Sequence, residues 1–139
     1  MPISPHMSCL LIAILLLVPM RDALTDDKSH LLDGLTFSGF NGEKGLPLDP
    51  KEIEEIVFEN GRFRSVSCEP YNFEDSDYTA TAIGDSVHFR AVTESPTHGQ
   101  ISWQGVVTGE TAKMTFLWTK ERWYWNIKKE YWFEGSQRE

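Results

Sequence analysis

The chain has 139 residues, 40% of them hydrophobic, and a formal charge of −8 at pH 7. This length supports a single domain with a hydrophobic core of its own. So acidic a surface repels phosphate backbones and anionic headgroups, which disfavours nucleic acid as a partner and disfavours peripheral membrane binding.

The first 23 residues are predicted to be a signal peptide. The apolar run Cys9–Val18 is shorter than the roughly 20 residues of a membrane-spanning helix, and its length is typical of the apolar region of a secretory signal. No Lys or Arg precedes the run, and Arg21 makes the site at Ala23 a poor one for cleavage. We therefore expect an exported protein, periplasmic or secreted, with an uncleaved N-terminal membrane anchor as the alternative.

The part of the chain after residue 23 contains one cysteine, Cys68. An internal disulfide is therefore excluded, and the core must hold the domain together. Residues 24–33 are polar and charged without alternation, which predicts a linker, and one domain is predicted over 34–139. The best helical candidate, Asp49–Ile56, has Pro50 at its first helical position and is long enough for one turn.

From residue 35 onward, short runs of alternating apolar and polar residues are separated by turns that contain glycine. This pattern predicts eight β-strands. The predicted strands are Leu35–Phe40, Ile53–Glu59, Arg62–Cys68, Asp77–Ile83, Ser86–Glu94, Gln100–Val107, Ala112–Thr119 and Arg122–Glu134. Eight antiparallel strands joined by short turns predict an all-β, up-and-down barrel, because closure removes the exposed edges. A strongly curved open sheet and a two-sheet sandwich are the alternatives.

Two of the hairpins can be tested for consistency, because a two-residue turn fixes which residues of a hairpin face each other. A turn at Gly84-Asp85 groups these apolar pairs on one face: Ala82/Val87, Ala80/Phe89 and Tyr78/Ala91. A turn at Gly109-Glu110 does the same for Val107/Ala112, Gly105/Met114, Trp103/Phe116 and Ile101/Trp118. A slip of one residue would invert both faces, so the sorting supports both registers.

The dipeptide Asn60-Gly61 is the strongest turn signal in the chain. Its hairpin has the pairs Glu59/Arg62, Phe58/Phe63 and Ile56/Ser65. The second strand, Arg62–Cys68, carries polar residues on both faces. We therefore predict that this strand lies at an edge or rim, or brings a polar group into the interior.

Aromatic residues are concentrated toward the C-terminal end. A tight turn at Lys120-Glu121 is predicted to place Trp118 opposite Trp123 and Phe116 opposite Trp125. The predicted ligand-binding residues are Trp103, Phe116, Trp118, Trp123, Trp125 and Tyr131. Two interpretations stay open: an aromatic cavity for a small apolar or flat ligand, or bulky side chains that fill the interior of a small barrel.

No reactive constellation is recognisable in the sequence. His88 falls on the outer face of a strand, and His98 lies in a loop that a ligand could reach. Neither has metal-ligand spacing to another donor, and the acidic stretch Glu74–Asp77 lacks the glycine and distant glutamate of a calcium loop. We predict no metal, no cofactor and no enzymatic activity. A polar pocket of Ser65, Ser67 and Cys68 would need a basic partner to catalyse a reaction.

Several segments resemble a group of small bacterial exported proteins with a lipocalin-like (calycin) barrel. The matching segments are Phe58–Ser65 with Cys68 and Tyr71 following, Phe89–Ala91, Ile101–Gly105, Trp118–Lys120 and Glu130–Gly135. These motifs are turn glycines and core aromatics, so the resemblance implies a lipocalin-like fold and supplies no ligand.

The sequence thus predicts a non-enzymatic exported β-barrel, monomeric, that binds a small apolar ligand through an aromatic interior. The alternative is an envelope protein that acts through protein–protein contacts on its outer surface. A ligand carrier should contain a cavity of about 300 Å³ or more lined by the C-terminal aromatics. A surface-acting protein should instead have a dry interior and a contiguous exposed apolar patch.

Overall fold

The computed structural model describes residues 30–139, so the predicted signal segment lies outside the described residues. The fold is a closed barrel of eight antiparallel strands in sequence order, with the last strand paired to the first. The strands are β1 Thr36–Glu43, β2 Ile53–Glu59, β3 Arg62–Ser65, β4 Ser76–Ile83, β5 Ser86–Ser95, β6 Gly99–Thr108, β7 Thr111–Lys120 and β8 Ile127–Gln137. The predicted up-and-down barrel is confirmed. Within residues 30–139, no helix has both the length and the apolarity needed to cross a bilayer.

Three of the four predicted hairpins have the predicted registers. Representative cross-strand pairs are Phe58 with Phe63, Ala80 with Phe89, and Trp103 with Phe116. Each turn contains a residue with positive φ: Gly61 at 73°, Gly84 at 61° and Gly109 at 58°. Two-residue hairpin turns require positive φ because only that backbone twist matches the twist of the strands, and glycine adopts it without strain.

The predicted tight turn at Lys120-Glu121 is wrong. Lys120 pairs with Ile127, so residues 121–126 form a loop, and Phe116 lies opposite Tyr131. Trp118 lies opposite Lys129, and the predicted pairings with Trp123 and Trp125 do not form. The physical reason is that β8 pairs on both sides. Its bonding to β1 on one edge and to β7 on the other fixes its register and leaves 121–126 unpaired.

The predicted strand Arg62–Cys68 ends early, at Ser65, and a 3₁₀ helix over Val66–Tyr71 follows it. The chain leaves the sheet there because the backbone N–H of Ser67 donates to the Glu54 carboxylate (3.1 Å) instead of to a neighbouring strand. At the candidate helix Asp49–Ile56, the structure has one turn, in which the Glu52 N–H donates to the Asp49 carbonyl (3.0 Å), before β2 begins.

Aromatic side chains fill most of the barrel interior. Phe58 is at the centre of this cluster and makes edge-on contacts with four rings at centroid distances of 4.9–6.2 Å. The four neighbours are Phe37, Phe63, Tyr78 and Phe89. Edge-to-face packing of this kind adds to the stabilisation that burial of the rings provides. The interpretation of a filled core therefore holds for this half of the barrel.

Residues 30–34, which include the end of the segment predicted as a linker, cover one end of the barrel. Leu32 is only 1% exposed and packs in the core. Its backbone N–H donates to the hydroxyl oxygen of Tyr78 (3.1 Å), and that hydroxyl donates to Asp33 (2.6 Å). The N–H of Gly61 also donates to Asp33 (3.0 Å), which joins the segment to the β2–β3 turn.

The Asp33 carboxyl titrates below its ordinary pKa of 3.8. Burial works to raise its pKa, but hydrogen bonds from Tyr78, His30 and the Gly61 N–H together outweigh this effect. Because the folded-state pKa is lowered, the stabilisation is present above pH 3.8 and is lost as the pH falls through the folded-state value.

We expect Tyr78→Phe to lower the free energy of unfolding by about 1–3 kcal/mol, because it leaves the buried Leu32 N–H without an acceptor. The difference from wild type should shrink as the pH falls from 3.8 through the lower folded-state pKa of Asp33, where the folded carboxyl becomes protonated. Urea unfolding at several pH values measures both effects. Tyr71→Phe, at an exposed tyrosine, is the control. Equal stability of Tyr78→Phe and wild type would contradict the role of this hydroxyl.

Candidate functional site

A cavity of about 380 Å³ opens at the other end of the barrel, which we call the mouth. The mouth is the end at which β1, β3, β5 and β7 finish. The apolar wall of the cavity consists of Tyr71, Phe73, Ile101, Phe116, Trp118 and Tyr131. Its polar lining consists of Asn41, Glu52, Ser67, Cys68 and His98. A concave, mainly aromatic site with a few polar groups is the usual form of a small-molecule site.

A stack of three rings connects the core to the cavity. Trp103 and Phe116 are 4.1 Å apart at an interplanar angle of 24°, and Phe116 and Tyr131 are 5.1 Å apart at 9°. Trp103 is buried, and its indole N–H donates to the Thr93 hydroxyl (3.0 Å). The stack therefore presents a flat, fixed aromatic surface to the cavity.

The rim of the cavity is held together across several loops. The indole N–H of Trp118 donates to the backbone carbonyl of His98 (2.6 Å), which joins β7 to the β5–β6 turn. The His98 ring lies 5.4 Å from the Tyr71 ring, edge to face. The Ser95 hydroxyl donates to the Tyr71 carbonyl (2.7 Å), so the 3₁₀ helix is attached to the same turn.

A buried carboxylate, that of Glu54, lies behind the polar side of the cavity. Glu54 is 1% exposed and occupies an inward position of β2, two residues before the core residue Ile56. One carboxylate oxygen accepts the backbone N–H groups of Glu55 (2.9 Å) and Ser67 (3.1 Å). The other accepts the Ser65 hydroxyl (2.8 Å), with further donation by the Ser67 hydroxyl and the Asn41 amide.

These bonds explain why a charged group is tolerated at a core position. A buried carboxylate without partners is very costly, and hydrogen bonds to the charged form are what make burial possible. Two of the donors, Ser67 and Asn41, also line the cavity. Glu54 therefore fixes the orientation of two polar side chains that a ligand would meet.

The only cysteine among the described residues, Cys68, is unbridged and lies on the cavity wall. Burial raises the pKa of its thiol, and the negative charge of Glu54 raises it further. Hydrogen bonds with Ser65 and Ser67 act in the opposite direction but do not cancel the effect. The thiol is therefore neutral near pH 7, the form that is a weak nucleophile.

The structure brings four of the six predicted ligand-binding residues together. Phe116, Trp118 and Tyr131 line the cavity, and Trp103 stacks behind Phe116. The predicted interior position of the other two is wrong, since Trp123 is 94% exposed and Trp125 is 61% exposed in the loop 121–126.

Sequence reasoning did not identify Asn41, Phe73 or Glu54 as part of the site. For Glu54 a signal existed, because the apolar alternation of β2 places it on the same face as Ile56 and Phe58. An acidic residue on the apolar face of a strand indicates a buried carboxylate with its own hydrogen-bond donors.

A larger depression of about 540 Å³ lies on the outside of the barrel over strands β4 to β8. Most of its lining consists of outward-facing polar side chains such as Thr79, Arg90 and Lys113. We place the candidate site in the mouth instead, because the mouth has the apolar concave wall that a small ligand requires. Within residues 30–139 no group of three or more metal-binding side chains is assembled.

The chain matches no protein-family model, no curated protein and no solved structure.

Proposed function

We propose that the protein binds a small, flat, largely apolar molecule in the mouth of the barrel and does not act on it chemically. The observation that carries this proposal is the cavity of about 380 Å³ backed by the parallel rings of Phe116 and Tyr131. Its volume falls within the range of about 300–1,000 Å³ that is usual for ligand sites.

The lining indicates the chemistry of the ligand. One wall is aromatic and suits the face of a ring system, whereas Asn41, Ser67 and His98 supply hydrogen-bonding groups on the other side. The matching molecule has an apolar body and a polar edge. As parts of the same proposal, the protein is exported and related to the lipocalin-like barrels that its sequence resembles.

Binding is favoured over catalysis by the state of the polar groups. The hydroxyls of Ser65 and Ser67 both donate to Glu54, so the carboxylate serves as a shared acceptor within a saturated cluster. The Cys68 thiol is held in its neutral form by burial, because this raises its pKa. A nucleophile needs activation by a base that is free to take its proton.

Action through protein–protein contacts on the outer surface is the alternative function. It requires a dry interior, and a mouth cavity with an aromatic wall argues against that requirement. Exposed apolar side chains stand next to one another in the loop 121–126 and in the cross-strand pair Phe40/Ile53, while the outer face of β5 shows polar residues such as His88 and Arg90. The observations therefore favour the ligand-binding function.

N-phenyl-1-naphthylamine, a neutral flat probe whose emission rises in apolar sites, tests the proposal. We expect wild type to bind it and Trp118→Ala to bind it roughly tenfold more weakly, because that variant removes part of the apolar wall. Trp125→Ala is the matched control, since it removes the same side chain outside the cavity. Absence of probe binding to wild type, or equal weakening in both variants, would overturn the proposal. Circular dichroism of each variant checks the fold.

A further inference from the structure

The loop that joins β7 to β8, residues 121–126, exposes three consecutive aromatic side chains. Trp123 is 94% exposed, Tyr124 47% and Trp125 61%. We call residues 121–126 the aromatic loop. Large aromatic rings contribute strongly to stability when buried, so three exposed in sequence indicate a surface that is covered by something else.

Bonds within the aromatic loop hold these rings in place. The backbone N–H of Arg122 donates to the Asn126 side chain (3.3 Å), and its guanidinium donates to the Tyr124 hydroxyl (3.0 Å). The same guanidinium lies over the rings of Tyr124 (5.7 Å) and Trp125 (5.9 Å). Trp123 and Trp125 each pack edge to face on Tyr124, at 5.0 Å and 4.2 Å.

The charge around the aromatic loop is opposite to that of the whole protein. Residues 120–129 contain four cations and one anion, Glu121, whereas the chain has a formal charge of −8. The four cations are Lys120, Arg122, Lys128 and Lys129. Since this segment carries +3, the remainder of the chain carries −11.

Most of these cations are available to a partner. Lys129 is 3.9 Å from Glu43, and the nearby Glu130 is bound by Lys44 at 2.8 Å. The other three, at positions 120, 122 and 128, form no ion pair with any residue in 30–139. Three of the four cations of the segment are therefore not held in an ion pair by the barrel, although Lys128 also acts electrostatically on Glu130.

We propose that the aromatic loop docks onto the surface of a lipid bilayer that contains anionic lipids. Trp and Tyr side chains are enriched at the headgroup level of membranes, and each basic residue near an anionic surface adds to the attraction. A side chain as exposed as Trp123 projects from the protein, which suits entry into a soft headgroup layer better than packing in a flat protein interface. The charge of +3 on residues 120–129, and not the total charge of −8, therefore decides whether this part of the protein is attracted to an anionic surface.

The position of the aromatic loop gives the contact a consequence. The loop begins three residues after Trp118, which lines the mouth cavity, so docking would bring the mouth toward the bilayer. The acidic remainder of the protein is repelled by anionic headgroups, which would keep the barrel in that orientation. The docking itself does not depend on the cavity being used.

Tryptophan quenching by brominated lipids tests the proposal with the full chain. Because the apolar run Cys9–Val18 can itself bind any bilayer, the informative comparison is between vesicles of phosphatidylcholine alone and vesicles with added phosphatidylglycerol. We expect quenching to be stronger with the anionic vesicles than with the neutral ones, and we expect this difference to disappear in the double variant Trp123→Ala/Trp125→Ala. If the remaining tryptophans, Trp103, Trp118 and Trp132, were still quenched more strongly by anionic than by neutral vesicles in that variant, the proposal would be overturned.

Charge variants keep the fluorophores and test the electrostatic part. The double variant Lys120→Glu/Lys128→Glu should bind anionic vesicles at least roughly fivefold more weakly for each residue changed. The matched control Arg90→Glu/Lys113→Glu changes two exposed cations on the outer wall of the barrel and should bind like wild type. Equal loss in both variants, or equal quenching with neutral and anionic vesicles, would contradict docking by this loop.

A soluble polyanion distinguishes the bilayer from an acidic protein partner. Polyglutamate, added without vesicles, should leave the emission of wild type unchanged. A blue shift with polyglutamate equal to that with anionic vesicles would overturn the bilayer proposal in favour of an acidic polypeptide.

Discussion

Glu54→Leu is expected to lower the free energy of unfolding by about 3–5 kcal/mol. The carboxylate accepts hydrogen bonds from Ser65, from Ser67 and from the Glu55 N–H, and leucine accepts none. Each donor that is left buried without an acceptor incurs the full cost of its desolvation, about 1–3 kcal/mol, unless it can turn toward water. Urea denaturation followed by tryptophan emission measures the change.

Two further variants give this experiment its controls. Glu59→Leu changes an exposed glutamate of the same strand and should stay within about 0.5 kcal/mol of wild type. Glu54→Gln keeps one acceptor oxygen but faces a new NH₂ group toward the remaining donors, so it should fall between the two. If Glu54→Leu were as stable as Glu59→Leu, the hydroxyls of Ser65 and Ser67 would have found other partners. The hydrogen bonds to Glu54 would then not contribute to stability.

The same variants report on the candidate site. Ser67 and Asn41 line the mouth cavity and are oriented by Glu54, so Glu54→Gln should weaken binding of the naphthylamine probe as well as stability. An effect on stability with unchanged probe binding would restrict the cluster to a structural role.

The hairpins of the barrel were predictable because their information is local. The glycines at the turns, Gly84 and Gly109, set the register, and the alternation on both sides can be checked against it. In the third hairpin, at Asn60-Gly61, apolar and polar residues do not separate cleanly between the two faces. Its polar residue Ser65 is buried against Glu54, which agrees with the predicted option of a polar group in the interior.

The segment after β7 was not predictable in the same way. A tight turn at Lys120-Glu121 would place Trp123 and Trp125 opposite Trp118 and Phe116, so a single-hairpin test accepts them as a strand. Their exposure follows from the pairing of β8 with β1 on its other edge, which involves residues such as Phe37 and Gln137 at opposite ends of the domain. Closure of a barrel is a non-local condition, and local alternation carries no information about it.

Prediction of the cavity would have required the same non-local information. Three of the aromatics that line it, Phe116, Trp118 and Tyr131, and Trp103 behind them were identified by type, because a cluster of large rings predicts either a core or a binding wall. Which of the two applies depends on how the ends of the barrel are covered. Residues 30–34 with Leu32 cover one end, whereas the mouth has no corresponding plug among the described residues.

The seam that closes the barrel is expected to be its most sensitive point, and Gly39→Ala tests it. Gly39 of β1 lies opposite Gly135 of β8, and a Cβ atom at position 39 would be 1.9 Å from the Glu134 carbonyl oxygen and 2.5 Å from the Gly135 Cα. Both obstacles are backbone atoms, so the clash can be relieved only by separating the two strands. We expect a loss of more than about 4 kcal/mol in the free energy of unfolding.

The matched control for the seam is Gly42→Ala, on the same strand. The three atoms nearest to a Cβ atom there all belong to the indole of Trp132, the closest at 3.0 Å, and a side chain can move aside. This variant should therefore lower the free energy of unfolding by about 1 kcal/mol or less.

Separation of β1 from β8 would leave two unpaired strand edges, which are templates for association with other chains. Size-exclusion chromatography should thus show oligomers for Gly39→Ala and a single species for Gly42→Ala. Because β1 contributes Asn41 and β8 contributes Tyr131 to the mouth, probe binding should disappear together with closure. A monomeric Gly39→Ala protein that binds the probe normally would show that the seam tolerates a side chain and that the barrel does not depend on this close approach.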